Sequence, residues 1–274
     1  MDSVSKISGI GRPLDFDYSS NRWAFYLTCA AGPAGAVYRY AETGTVLNSL
    51  GWGIGAVFSV FLAWALGREL DPDHNPSAFI GMGISFVLII FLGLPCLVLM
   101  FWLLIAVRIL NRTTGLPPKI WDILFFIGLG SWLTYRGYWP AGLFTAAVLL
   151  ADGLLPQGKR SQFGYASLGA AAAAAAFIFK KELWLQADFS WIPSGAALLS
   201  AVLLIPVVLE SRNIQSRGDE NGRKLNSLRI QAGQVLVAVV WLLFSLGGGI
   251  SGWIGVIPVW AAGLGAGLFR LYNP

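Results

Sequence analysis

The stretch TVLNSLGWGIGAVFSVFLAWAL, residues 45–66, runs for 22 residues without an ionisable side chain. It is too long for a buried strand and lacks the alternation of a half-buried one. A helix rising about 1.5 Å per residue needs roughly 20 mostly apolar residues to cross a hydrocarbon core about 30 Å thick, and this run fits. The rest of the chain agrees. Of its 274 residues, 56% are hydrophobic and 12% charged, with a mean hydropathy of +0.65. Soluble domains carry about twice that charge, so lipid is the expected solvent.

Measured against the same length, residues 189–209 form one span, 78–107 a longer uncharged run whose excess implies tilt, a kink near Pro95 or a helix emerging from the bilayer, and 162–179 an alanine-rich span. Alanine favours helix but adds little hydrophobicity, so 162–179 is expected to pack among other helices. Residues 120–155 read as two short spans meeting at RGYWP (136–140), and 232–269 as a hairpin turning at GGGISGW (247–253). Residues 23–38 are short, and AAGPAGA (30–36) should disrupt a straight helix there, so a re-entrant or interfacial segment and a short span both remain open. The expected fold is an all-α, polytopic transmembrane helical bundle of about eight spans. Its organisation is a polar N-terminal segment, 1–22, followed by one membrane domain, 23–271, interrupted by a polar loop at 210–231.

Loop charge gives an orientation, because Lys and Arg collect on the cytoplasmic side. Eight spans put fifteen basic residues on one side, including Arg108, Arg112, Arg229 and Arg270, and four on the other: Arg68, Arg136, Lys180 and Lys181. The C-terminus is then cytoplasmic, in a plasma or inner membrane, and the loop RELDPDHNPSAF (68–79) faces outward. The net charge of +5 is explained by these loops. No basic stripe interleaved with aromatics suggests nucleic acid.

That outward loop is the densest polar segment. Glu69, Asp71, Asp73 and His74 could transfer protons, imidazole being the side chain that titrates near neutrality. Asp71, Asp73 and Asn75 offer hard oxygen ligands for Mg²⁺ or Ca²⁺. The order Asp71, Asp73, Asn75, Ser77 resembles the first half of an EF-hand calcium loop, but Pro76 replaces its glycine and Met82 its bidentate glutamate. A tight turn explains the same residues: Pro72 and Pro76 stop helices, while Asn75 or Ser77 caps the next one.

Asp122, Arg136 and Asp152 form a second group near membrane depth. Such charges mark a polar route or, near helix ends, cap and snorkel. Cys29 and Cys96 lie in apolar runs and indicate neither a disulfide framework nor a cysteine metal site. Gly51/Gly55, Gly248/Gly252 and Gly263/Gly267 have the spacing that lets helices approach closely, within the chain, in a homo-oligomer or against other membrane subunits. No P-loop, GxSxG or HExxH motif occurs, which removes the commonest ATPase and hydrolase signatures.

Three functional readings follow. The first is a membrane-embedded enzyme acting on a lipid or isoprenoid at the extracytoplasmic face through the acidic/His loop. A small-solute or ion transporter using Asp122, Arg136 and Asp152 is the second. The third is a non-catalytic subunit or assembly factor. Membrane lipids are the expected partners in all three, and the basic residues of loop 210–229 could meet anionic headgroups.

Overall fold

A computed structural model describes residues 6–180 and 191–273. Residues 1–5 of the polar N-terminal segment, Lys181 and the first two residues of the 189–209 run lie outside the described residues. The described chain is helical: α1 (Ser19–Thr43), α2 (Val46–Leu70), α3 (Asn75–Leu92), α4 (Leu97–Asn111), α5 (Ile120–Tyr135), α6 (Trp139–Leu154), α7 (Ser161–Lys180), α8 (Trp191–Glu210), α9 (Ser227–Gly247), α10 (Gly249–Gly255) and α11 (Ile257–Tyr272). Five of these, α2, α3, α7, α8 and α9, are long and apolar enough to cross a membrane. The pair α10–α11, bent by 67°, makes a sixth if it is one span. The helices α4, α5 and α6 are apolar but have only 15 or 16 residues. At that length each reaches about 23–24 Å, short of a full core.

The chain partitions into two compact units. One comprises 1–13, 102–187 and 210–237; the other comprises 14–101, 188–209 and 238–274.

In the second unit, α1 corrects the expectation that AAGPAGA disrupts a straight helix. Pro33 removes one backbone donor, yet the helix runs unbroken for 25 residues beside α2. Close packing holds it: a Cβ on Gly53 would stand 2.7 Å from Gly32 O, and one on Gly35 only 2.5 Å from the Trp52 ring. The uncharged run 78–107 is two helices, α3 and α4, rather than one kinked span. Gly93, at φ 102°, ends α3, and after Pro95 the Cys96 N–H donates to Gly255 O at 3.2 Å. The helices α3 and α11 cross on glycine: a Cβ on Gly265 would press on Gly81 N, and one on Gly81 would lie 2.8 Å from Ala262 Cα. Gly263 faces the Trp241 ring, Gly267 the Leu203 backbone and Gly55 Leu94, so these small residues are used inside the unit. Gly51 meets nothing within 4 Å.

In the first unit, α5 and α6 meet at the 136–138 turn, as the sequence indicates. The alanine helix differs from expectation. Gln162, Ala166, Gly169 and Ala173 are buried, while Ala170, Ala171, Ala174 and Ala175 are exposed. Only one stripe packs inside the unit, and the larger side chains Leu168 and Phe177 are exposed as well. The polar loop after α8 is ordered by its own backbone hydrogen bonds. The Leu225 N–H donates to Ser216 O and the Gly218 N–H to Arg223 O, both at 2.9 Å, forming a small hairpin. Ile214 and Leu225 bury against Ile230 beneath it.

Candidate functional site at the Asp71, His74 and Arg270 cluster

Pro72 and Pro76 confine the chain between α2 and α3 to a four-residue turn, Asp71–His74. Asp71 caps the end of α2, its N–H donating to Gly67 O at 2.9 Å. His74 holds the N-cap position of α3, and the Ser77 hydroxyl donates back to His74 O at 2.7 Å. This tight turn places the two side chains together. Asp71 Oδ1 accepts from His74 Nδ1 at 3.0 Å.

The third member comes from the far end of the sequence. Arg270, in the last turn of α11, donates from Nη2 to the same Asp71 Oδ1 at 3.0 Å. Its Nη1 lies 3.4 Å from His74 Nε2, and Phe269 packs against the imidazole with ring centroids 5.4 Å apart. The glycine crossing of α3 and α11 makes this approach possible. Because an ionised Asp71 can only accept and Arg270 can only donate, the arrangement selects the imidazole tautomer with hydrogen on Nδ1 and a lone pair on Nε2.

The Asp71 side chain is 2% exposed, Arg270 12% and His74 35%. The carboxylate is therefore the floor of the cluster and the imidazole its mouth. Burial pushes the Asp71 carboxyl above the ordinary aspartate range, against the opposing pull of His74, Arg270 and Ser77. Its second oxygen, Oδ2, is buried without a hydrogen-bond partner. A buried acceptor left in that state is costly unless something fills it.

Of the other loop residues, Glu69 is fully buried in the last turn of α2, whereas Asp73 and Asn75 are exposed. Asp71, Asp73 and Asn75 do not share one environment. Among the described residues no three His, Cys, Asp or Glu side chains stand close enough to hold an ion together.

The pair Asp71–Arg270 departs from the eight-span layout expected from the sequence. Seven crossings between these residues would put them on opposite faces, but a direct ion pair puts them at one end of the unit.

Asp122, Arg136 and Asp152 belong to the other unit, where each has its own set of partners. Asp122, in the first turn of α5, accepts from Ser8 Oγ at 2.6 Å and from the Gly9 and Lys119 N–H groups, each at 2.8 Å. It is a helix cap that also fastens the N-terminal segment. Arg136 stands at the opposite end of α5, with its guanidinium 5.7 Å from the Trp132 ring centroid. Asp152, fully buried, is gripped by two arginines: Arg112 from Nε and Nη2, and Arg229 from Nη1 at 2.7 Å. The remaining donors take up helix-end carbonyls at Leu110, Pro156 and Gln157. Arg112 and Gln157 both have left-handed backbones, at φ 51° and 65°. In the sequence these arginines read only as loop charge. Arg112 directly precedes TTG, and Arg229 lies two residues into α9, where a lone cation next to an apolar run was the available signal.

Comparison with known proteins finds no matching family model, curated protein or solved structure.

An apolar groove of about 280 Å³ completes the second unit's features. It is lined by Leu27, Ala31 and Ala34 of α1, Val60 of α2, and Phe79, Met82 and Phe86 of α3. Along α3 the groove begins at Phe79, about one turn past Asn75.

Proposed function

We propose that this multi-pass membrane protein handles a lipid or isoprenoid amphiphile whose polar end meets Asp71, His74 and Arg270. The observation that carries the reading is the buried, unpartnered Oδ2 of Asp71 in a carboxylate already held by an imidazole and a guanidinium. That oxygen suits a donor such as a hydroxyl. Arg270 supplies a positive charge beside it for a phosphate or carboxylate. His74, oriented by Asp71, exchanges a proton at Nε2 only when Arg270 Nη1 turns from it to the anionic end of the ligand, and on that condition the reading extends to a membrane-embedded enzyme. The groove along α1, α2 and α3 offers a place for the apolar tail, in the way that ligand sites combine apolar walls with few polar groups.

A photoreactive alkyl phosphate with a diazirine in its chain tests this. With the full-length protein in nanodiscs, labelled peptides should concentrate in residues 27–34 and 79–86. Gly83 borders the groove, and a Cβ there meets nothing within 4 Å, so G83L fills the space without a backbone clash. G83L and R270Q should each cut the labelling of those peptides severalfold. Labelling spread evenly over all lipid-facing helices and unchanged by G83L would refute the reading.

A further inference from the structure

The hairpin between α8 and α9 is a built surface. Its backbone is pinned by the Asp219 and Glu220 N–H groups donating to Thr113 O and Thr114 O, and by the Asn221 side-chain amide donating to Gly115 O. Its apolar residues Ile214 and Leu225 point inward. What remains outside is mainly cationic: Arg212, Arg217, Arg223 and Lys224 are all exposed. Of its two acids, Asp219 is engaged by Arg12 at 2.7 Å, leaving Glu220. Lys159 and Arg160, exposed in the turn between α6 and α7, add to the excess positive charge at this end of the unit.

The position of the hairpin narrows the partner. It is bounded by two helices of membrane-crossing length, α8 ending at Glu210 and α9 beginning at Ser227. Folded back on itself, it stays close to the level where those helices leave the hydrocarbon. Clustered Lys and Arg beside a span attract anionic headgroups, and here folding fixes them on one surface instead of leaving them on a flexible tether. No exposed aromatic is interleaved with them, as a stacking nucleic-acid surface would need. We infer that this hairpin is a docking surface for the anionic lipid headgroups of the adjacent leaflet. The inference rests on a different unit from the Asp71 cluster and stands or falls separately.

The test uses the full-length protein equilibrated with equal amounts of phosphatidylglycerol and phosphatidylcholine of matched chains, with bound lipids counted by native mass spectrometry. Wild type should retain the anionic lipid in roughly fivefold excess or more. That excess should shrink as ionic strength rises. R212Q/R223Q/K224Q should bring the ratio near one while the thermal midpoint in phosphatidylcholine stays unchanged. Arg217 is left in place because its guanidinium donates to Gly222 O within the hairpin. The charge-preserving R212K/R223K should keep the preference, which guards against a variant that merely misfolds. Equal retention of both lipids by wild type, or an excess that survives the triple substitution or high salt, would overturn the inference.

Discussion

Arg270 donates to the Asp71 carboxylate at 3.0 Å across 199 positions of sequence. The contact depends on α3 and α11 touching through Gly81 and Gly265, where a Cβ would run into backbone. G265L should separate the helices, release Arg270 and destabilise the protein by about 1–3 kcal/mol, the usual cost of overpacking. Thermal unfolding in detergent gives the size. Loss of a bound amphiphile together with the midpoint shift would tie the crossing to the site.

Asp71 should give stability a recognisable pH dependence. Its carboxyl is harder to ionise in the folded protein, mainly because it is buried. Between the ordinary aspartate value and the raised one, the folded state therefore binds more protons than the unfolded state. Stability falls as pH rises through that window and is fully retained below it. Comparing thermal midpoints from pH 4 upward, wild type should decline where D71N stays flat. Parallel profiles would remove Asp71 as the cause.

Asp152 should be the most sensitive polar position in its unit. D152A leaves Arg112 and Arg229 buried with only carbonyl partners, and breaking one side of a buried pair costs about 3–5 kcal/mol. D152N should fall between wild type and alanine, because it keeps the shape and one acceptor. Denaturant titration in mild detergent measures both.

The N-terminal segment should detach when its anchor is removed. D122A deletes the acceptor for Ser8, Gly9 and Lys119. G9A would force a methyl group against Pro117 O. Hydrogen exchange at Gly9 and Lys119 should accelerate in D122A, while the core of α5 changes little. Unchanged protection would mean that Thr114, whose hydroxyl donates to Gly9 O, is sufficient to hold the segment.

Much of the helical plan is legible in the sequence because membrane helices must satisfy their backbones internally and so run long and apolar. The 45–66 run became α2, extended to Leu70, since Arg68 and Glu69 sit in its last turn without breaking it. Breaks were harder to read. Pro33 suggested an interruption and Pro95 only a kink, yet α1 passes through Pro33 and the chain breaks before Cys96. The difference is tertiary: Gly32 and Gly35 lock α1 onto α2, whereas Gly93 adopts a left-handed conformation that stops α3. Asp71 and His74 were visible as a polar turn. Arg270 was not, because loop-charge counting treats a basic residue at a helix end as an orientation signal and carries no information on which turn it will meet.

Asp71, His74 and Arg270 meet at one end of their unit. Asn75 and Asn273, both exposed, flank the two halves of the cluster. With Cys29 and Cys96 replaced by alanine, N75C and N273C should react identically with a membrane-impermeant thiol reagent in intact cells, both labelled or both protected until lysis. Labelling of one and protection of the other would place the loop and the C-terminal helix end on opposite faces, and the site would not exist.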